Sequence, residues 1–185
     1  MNKKLDSLLQ QFDQTATKVL PVEKWNPPCL GTMDLRIARS GIWYHEGRPI
    51  ERQSLVRLFA SILRRDEDGC YYLVTPVERW RIQVEDVPFI VVEMQVSGAG
   101  QAQSIYFRSN VDDWIRLGSD HPLRVDNASG SPAPYVRVRG RLEALLGRPV
   151  YYELAEYVEE RQLEGRLMYA VYSQGMWFPL AAVPA

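Results

Sequence analysis

Hydrophobic and polar positions recur with two different periods in Gly41–Met94, and this stretch predicts the clearest elements of the chain. Apolar residues fall at helical spacing over Leu55–Leu63, with arginine and glutamine on the opposite side. Pro49 precedes them where a helix tolerates a missing amide proton, and Arg64–Arg65 follows where the carbonyl end of a helix favours positive charge. The pattern predicts an amphipathic core helix over about Glu51–Arg65.

The residues after this helix have the period of strands. Tyr71–Thr75 is rich in β-forming residues and stops at Pro76. In Val77–Val84 apolar residues alternate with arginine and glutamine, which is typical of a half-buried strand. Phe89–Val96 is apolar on both faces, as expected for a central strand. The stretch therefore predicts one helix followed by three strands.

The residues before this stretch predict a short helix, a linker and a hairpin. Residues 3–20 begin with apolar positions at helical spacing, and the proline-rich segment 21–28 disfavours regular structure. Asp34–Arg39 and Ile42–His45 have strand character and are joined at Ser40-Gly41. With the central helix and the strands after it, the first half of the chain is predicted to have the order ββαββ.

The second half of the chain predicts a comparable order. Its elements are strands at Tyr135–Arg139 and Leu142–Leu146, a helix over Pro149–Val158, and a hairpin of Leu167–Ser173 and Met176–Leu180 around a Gln-Gly turn. This half is also predicted to be ββαββ.

A repeated tripeptide strengthens the hypothesis of internal duplication. Gly47-Arg48-Pro49 and Gly147-Arg148-Pro149 precede the two predicted helices at corresponding places. We therefore predict an α+β protein with a duplicated ββαββ core and mainly antiparallel sheets. The predicted divisions are an N-terminal helix and linker at residues 1–28, a first half at 29–101 and a second half at 102–185.

The composition is that of a folded protein without strong charge. Hydrophobic residues make up 46% and charged residues 24% of the 185 residues, and the formal net charge is -1. This balance argues against broad electrostatic capture of nucleic acid or of an anionic membrane. Two cysteines give no disulfide framework, and no apolar run has the length of a signal sequence or a membrane span. We predict a cytoplasmic protein that does not associate with membranes.

The cations are unusual in identity. Lysine occurs only at positions 3, 4, 18 and 24, and every other cation among the 22 is arginine. One interpretation is ordinary surface ion pairing. The other is a site in which arginine forks bind phosphate or carboxylate, a task that lysine performs less well.

No catalytic signature is found in the chain. The spacing of its cysteines and histidines does not match a zinc motif, and both GxSxG and the P-loop sequence are absent. Asp112-Asp113, with Asp120-His121 nearby, is either a solvated turn or a set of groups for a divalent cation and acid–base chemistry. We predict no catalytic residue, no metal ligand and no cofactor.

Arginines on predicted strands make the better candidate site. Arg79 and Arg81 share one strand face, as do Arg137 and Arg139, and equivalent strands of a duplicated fold would bring the two pairs to one cleft. The predicted ligand-binding residues are Arg79, Arg81, Arg108, Asn110, Arg137 and Arg139.

Seven segments carry a resemblance to a known family. They are WYHEGRPI, LVRLFASILRR, YLVTPVE, VEDVPF, SNVDD, VRGRLEA and VYYEL. Together they resemble the bacterial family catalogued as domain of unknown function 1285, over about residues 30–180. The resemblance implies a duplicated α+β core whose C-terminal half is loosely similar to a pleckstrin-homology fold. It also implies a site between the halves for a nucleotide or nucleic-acid-like ligand, and a role in signalling, but no catalytic motif.

These observations leave three functional hypotheses. The first is a ligand-binding or regulatory module for a nucleotide-like anionic ligand. The alternative is an enzyme that acts on a phosphorylated small molecule through a metal held by Asp112 and Asp113. The third is a protein-interaction scaffold, which an exposed apolar patch would support. An enzyme is the less favoured of the first two, and the sequence names no protein partner.

Overall fold

A computed structural model of the chain describes residues 20–128 and 131–184, in two compact units. Unit 1 contains the described residues up to Ala38 together with Ile42–Glu85, and unit 2 contains Arg39–Gly41 and the described residues from Asp86. The predicted boundary after residue 101 differs from this division, because the central strand at Phe89–Val96 belongs to unit 2. The helix predicted at residues 3–20 lies almost wholly outside the described residues.

Unit 1 consists of one helix and a six-stranded sheet. Its strands are β1 (Cys29–Ile37), β2 (Trp43–His45), β3 (Arg48–Pro49), β4 (Leu63–Arg65), β5 (Tyr71–Val74) and β6 (Arg79–Val84), and its helix is α1 (Gln53–Ser61). The sheet has the order β3-β2-β1-β6-β5-β4. The neighbours β1 and β6 are parallel, and all the other pairs are antiparallel. A 3-10 turn at Val22–Lys24 precedes these elements.

Helix α1 is shorter than the predicted Glu51–Arg65. It ends at Ser61, and the amide of Ile62 caps it by bonding to the carbonyl of Phe59. The next residues form β4, in which Leu63 is the register partner of Leu73. Pairing with β5 therefore overrides helix propensity in the last residues of the predicted helix.

The predicted buried face of α1 is confirmed within the observed helix, but Arg64, predicted on its polar side, lies in β4 and is buried. Val56, Phe59 and Ala60 are buried, whereas Arg57 is exposed. The ring of Phe59 stacks on that of Trp43, with 6.2 Å between the centroids. The helix thus buries its apolar side in the core of unit 1, where Phe59 contacts Trp43 of β2.

Unit 2 contains two sheets and one helix. Its elements are β7 (Phe89–Ser97), β8 (Ser104–Ser109), β9 (Trp114–Arg116), β10 (Leu123–Asp126), β11 (Ala133–Arg139), β12 (Leu142–Leu146), α2 (Arg148–Ala155), β13 (Val158–Leu163), β14 (Arg166–Ser173) and β15 (Met176–Ala182). The six-stranded sheet has the order β10-β11-β12-β7-β8-β9, in which only the neighbours β12 and β7 are parallel. The second sheet, β13-β14-β15, is antiparallel.

The two six-stranded sheets have the same topology. In each, three consecutive strands form one antiparallel half, three more form the other, and the first and sixth strands are parallel neighbours. The order and the directions of the strands agree with the predicted duplication. They give an α+β protein that is mostly β.

The proposed correspondence of the two Gly-Arg-Pro segments is wrong. In unit 1, Arg48–Pro49 forms β3, and α1 begins only at Gln53. In unit 2, Arg148 and Pro149 are the first residues of α2. Helix α1 connects the two halves of its sheet, whereas α2 follows the last strand of its sheet. The repeat therefore lies in the strands and not in the order ββαββ.

Helix α2 is also shorter than its predicted extent. It ends at Ala155, and Val158, predicted to be its last residue, begins β13. Val150 and Leu154 are buried, and the helix lies against β7. Within residues 20–128 and 131–184 no helix combines the length and apolar character needed to cross a membrane.

Two-residue turns join the strands of the smaller sheet. Glu164-Gly165 and Gln174-Gly175 both have positive φ at each residue, with 49° at Gln174 and 76° at Gly175. This conformation matches the twist of antiparallel strands and favours glycine at the second position. The predicted Gln174-Gly175 hairpin is confirmed.

Candidate functional site

Asp66 holds two arginines of unit 1 in fixed positions. Its carboxylate accepts hydrogen bonds from Nε and Nη2 of Arg64, and from Nη1 of Arg79 at 2.8 Å. Arg64 is buried, and its Nη1 also donates to the carbonyls of Val22 and Trp25, at 2.8 and 2.6 Å. Arg64 thus attaches the 3-10 turn of the predicted linker to β4, and Asp66 joins Arg64 to Arg79 of β6.

Arg79 also contacts an aromatic ring of unit 1. Its guanidinium lies 5.1 Å from the ring centroid of Tyr72. The Tyr72 hydroxyl donates to Asp68 Oδ2 at 2.7 Å, and this bond, together with burial, raises the pKa of Tyr72 to about 12. Arg81 is the register partner of Tyr72 on β6, and its side chain is exposed. Of the two arginines predicted on this face, Arg81 is exposed to solvent, whereas Arg79 is only partly exposed.

Arg108 lies on β8, in the six-stranded sheet of unit 2, and binds two carboxylates. Its Nε donates to Glu93 Oε2 and its Nη1 to Asp112 Oδ1, both at 2.7 Å. The first contact lowers the pKa of Glu93 by stabilising the carboxylate. Two carboxylates therefore already surround this predicted anion-binding residue.

Asn110 has a structural role in unit 2. Its Oδ1 accepts a hydrogen bond from the Ile90 amide at 3.0 Å, and its Nδ2 donates to the Gly41 carbonyl at 3.3 Å. Gly41 has a φ of 81°, and a Cβ added there would lie 2.8 Å from Asn110 Nδ2. The two ends of the amide thus join β7 to a tight turn, so both are occupied in the fold.

Arg137 and Arg139 have different surroundings on β11. Arg137 is exposed, whereas Arg139 lies 5.8 Å from the ring centroid of Phe89 and 3.8 Å from Asp113 Oδ2. Burial raises the pKa of Asp113. A register shift between Arg137 and Arg139 interrupts their ladder with β12.

The predicted equivalence of the two arginine pairs is wrong. Arg79 and Arg81 lie on β6, the sixth strand of its sheet, whereas Arg137 and Arg139 lie on β11, the fifth strand of the other sheet. Duplication therefore gives no reason for the pairs to share a cleft. The ligand-binding role of these residues stays a prediction.

Asp112 and Asp113 are the residues of the alternative metal site. Among residues 20–128 and 131–184, no three side chains of His, Cys, Asp or Glu come together as a group that could hold a metal ion. Asp112 and Asp113 each face an arginine, Arg108 and Arg139 respectively. The adjacent aspartates form a turn, in which Asp112 has a φ of 67°.

A cavity that the sequence did not indicate lies in unit 2. Its volume is about 460 Å³, and it opens between the 3-10 turn at Gly100–Ala102 and the sheet β13-β14-β15. The residues that line it are Gly100, Gln101, Gln103, Glu159, Arg161, Tyr172 and Trp177. We call it the Trp177 pocket.

An aromatic and cationic group forms one wall of the Trp177 pocket. The guanidinium of Arg161 lies 4.5 Å from the ring centroid of Trp177. The ring of Tyr172, the cross-strand partner of Trp177, is 5.1 Å away and tilted by 57°. Such geometry suits cation–π and edge-to-face aromatic contacts. Glu159 accepts a hydrogen bond from Arg161 Nη2.

Hydrogen bonds attach the 3-10 turn to this wall. Gln103 Nε2 donates to the Tyr172 carbonyl at 2.7 Å, and the Gln174 amide donates to the Gln103 carbonyl at 3.0 Å. The Tyr172 hydroxyl donates to the Gln101 carbonyl at 3.4 Å. The pocket therefore has two sides that are fixed to each other within unit 2.

A buried serine anchors the sheet beneath the pocket. Ser173 Oγ donates to the Leu117 carbonyl at 2.7 Å and accepts from the Ile105 amide at 3.0 Å. Ser173 follows Tyr172 on β14, so its side chain points to the opposite face. The pocket wall is thereby held on the larger sheet of unit 2.

Fold and sites together define a protein of two α+β units, each built on a mixed six-stranded sheet. The model of the domain of unknown function DUF1285, N-terminal domain, matches residues 20–87, and that of the protein of unknown function DUF1285, C-terminal domain, matches residues 88–180. The chain belongs to the DUF1285 family, as its sequence resemblance implies. The two models meet close to the boundary between units 1 and 2.

Two solved structures are similar to the chain. A DUF1285 family protein from Silicibacter pomeroyi DSS-3 is 44% identical over 95% of each chain, with a TM-score of 0.84. A DUF1285 family protein from Shewanella baltica OS155 is 24% identical, with a TM-score of 0.54. The match covers 67% of this chain and 91% of that protein, and it supports the fold alone. The comparison with curated proteins finds no match.

Proposed function

We propose that this protein is a ligand-binding module whose second unit takes a planar, anionic, nucleotide-like ligand in the Trp177 pocket. The observation that carries the proposal is the stack of Arg161 on Trp177 at the wall of a cavity of about 460 Å³. Small-molecule sites are concave, contain aromatic side chains and have a few polar groups, with typical volumes of roughly 300–1,000 Å³.

The wall provides two kinds of recognition. Tyr172 and the part of the Trp177 ring that Arg161 does not cover offer aromatic surface to a base, and stacking on an aromatic side chain is worth about 1–3 kcal/mol per base. Arg161 offers a planar fork that suits a phosphate, and its bonds to an anion are charge-assisted. Gln101 and Gln103 add amide groups at the opposite side of the cavity.

The pocket also suits a regulatory role better than a catalytic one. Its ionisable side chains of opposite charge, Glu159 and Arg161, are paired with each other. A ligand that contacts both the 3-10 turn and β13 would add a bridge between segments that are far apart in the sequence. Binding would then stabilise unit 2, as any ligand that binds only the native state does, and a regulatory module transmits such a change to a partner.

The test is isothermal titration calorimetry with adenosine 5′-monophosphate and the full chain. We expect Arg161→Ala to weaken binding roughly tenfold or more, because a hydrogen bond to a charged group contributes about 1.5–3 kcal/mol. Trp177→Ala should have a comparable effect through lost stacking. The matched controls are Arg81→Ala and Arg137→Ala, which remove the same charge from exposed positions of β6 and β11.

Three results would reject the pocket. One is an unmodified chain that does not bind the nucleotide, and another is an equal loss in all four variants. The third is a loss confined to Arg81→Ala and Arg137→Ala, which would assign the ligand to the arginines predicted from the sequence. Circular dichroism of each variant separates lost binding from lost folding.

A further inference from the structure

We propose that Glu159 competes within the molecule for Arg161 and thereby selects the charge of the ligand. This inference rests on the proposed function and adds a specificity-determining residue to the same pocket. It assigns phosphate monoesters of planar compounds to the site, in preference to carboxylates of the same shape.

The geometry of β13 carries this inference. Glu159 and Arg161 are two residues apart on one strand and so point to the same face, where both line the cavity. Glu159 Oε2 accepts a hydrogen bond from Arg161 Nη2, while the same guanidinium lies over Trp177. The carboxylate thus occupies the position at which an anionic ligand would meet the arginine.

The pair is accessible enough to be displaced. The side chains of Arg161 and Glu159 are 45% and 55% exposed, respectively. Exposed ion pairs contribute only about 0–1 kcal/mol, because water and salt screen them. An incoming anion can therefore replace Glu159 at Arg161 without the large penalty that accompanies the opening of a buried pair.

The exchange depends on the charge of the incoming group. A carboxylate has the charge of the group that it displaces, so it gains little beyond the stacking of its planar part. A phosphate monoester has a charge of about −1.5 to −2 at neutral pH and three acceptor oxygens, so it competes successfully with one carboxylate. A neutral planar compound stacks on the wall and leaves the pair in place.

Glu160 is a matched control for this role. It neighbours Glu159 on the same exposed strand but points to the other face, and it is not among the residues that line the cavity. Replacing either glutamate by glutamine removes the same charge from the same strand. A difference between the two variants therefore reports contact with Arg161 rather than net charge.

The experiment measures binding of three probes by calorimetry at physiological ionic strength: adenosine 5′-monophosphate, adenosine 5′-carboxylate and adenosine. In the unmodified chain we expect the carboxylate to bind as adenosine does, and the monophosphate to bind more tightly. Glu159→Gln should raise the affinity for both anions about threefold to fivefold, the range given by a surface ion pair of up to ~1 kcal/mol. It should leave adenosine unchanged, and Glu160→Gln should change all three affinities less than about 1.5-fold, since its exposed carboxylate points to the other face of the strand and salt screens it.

The outcomes separate the two proposals. If the monophosphate binds neither the unmodified chain nor Glu159→Gln, the proposed function fails and this inference fails with it. If the monophosphate binds but both glutamine variants behave alike, only the competitor role of Glu159 is overturned. A carboxylate that binds the unmodified chain as tightly as the monophosphate also overturns it.

Discussion

Arg79 in unit 1 and Arg161 in unit 2 each lie over an aromatic ring, but their surroundings differ. Arg79 shares the carboxylate of Asp66 with the buried Arg64. Arg161 shares its guanidinium with one exposed glutamate at the wall of a cavity. The same contact of arginine on an aromatic ring is therefore part of a structural network in one unit and of a candidate binding site in the other.

The difference shows which feature separates a structural arginine from one that is available to a ligand. The side chain of Asp66 is 15% exposed. Removal of Asp66 or of Arg64 therefore leaves the other residue with a buried charge that has lost its counter-ion. The side chains of Arg161 and Glu159 are about half exposed to water, so opening their ion pair costs little. Hydration of the counter-ion, more than the presence of a ring or of an arginine, distinguishes the two.

Loss of Asp66 should have the largest effect. Asp66→Ala leaves the buried Arg64 without its carboxylate, and we expect unfolding free energy to fall by about 3–5 kcal/mol, as for other buried pairs that lose one partner. Chemical denaturation measures the change. The control, Glu159→Ala, should change stability by less than about 1 kcal/mol because that pair is exposed.

Asp66→Asn provides an intermediate case if Asp66→Ala does not fold. The amide oxygen still accepts a hydrogen bond, so stability should lie between those of the unmodified chain and the alanine variant. Equal, small losses for the substitutions at Asp66 and Glu159 would show that the two arginines do not differ as described.

A smaller loss is expected where a neutral group holds the wall of the Trp177 pocket. Ser173→Ala leaves the Ile105 amide and the Leu117 carbonyl without the hydroxyl that they share, and an unmade buried bond costs about 1–3 kcal/mol. Thermal and chemical unfolding measure this loss. The exposed Ser119 supplies the control, and a Ser173→Ala variant as stable as Ser119→Ala would contradict the anchoring role.

An effect that is absent at neutral pH should appear at high pH in unit 1. The folded pKa of Tyr72 is about 12, above its ordinary value of 10.0, because the protonated hydroxyl donates to Asp68. A raised folded pKa gives stability that is present in full below pH 10 and is lost as the pH rises towards 12. Tyr72→Phe should lack this decline. Denaturation midpoints measured through that range in both proteins, with ultraviolet titration of tyrosinate, test the difference; parallel curves would exclude it.

Local patterns were sufficient to predict much of the fold. The alternation in β6 is confirmed, since Trp80 and Ile82 are buried while Arg81 and Gln83 are exposed. The central strand β7 and the buried face of α1 are confirmed as well. Contacts distant in sequence decided the rest: pairing of β4 with β5 shortened α1, and the parallel pairing of β1 with β6 has no local signal.

The Trp177 pocket could not be predicted for the same reason. Its lining residues come from the turn at 100–103, from β13 and from the β14–β15 hairpin, and only strand pairing brings them together. The useful signal is the alternation in Val158–Leu163, which puts Glu159 and Arg161 on one face once the segment is known to be a strand. The predicted helix over Pro149–Val158 extended into this segment and obscured that pattern.

The parallel pair at the centre of each six-stranded sheet has a consequence for folding kinetics. Three-stranded meanders such as β4–β6 involve neighbours in sequence, so they can form after the closure of short loops. In the parallel pair β1–β6, Cys29 is the register partner of Arg79, and in the parallel pair β7–β12, Phe89 is the register partner of Ala144. Because a long loop must close before either parallel pair gains a hydrogen bond, we expect this pairing to limit the folding rate of each sheet. We therefore expect one slow folding step in each unit, at the pairing of its central strands.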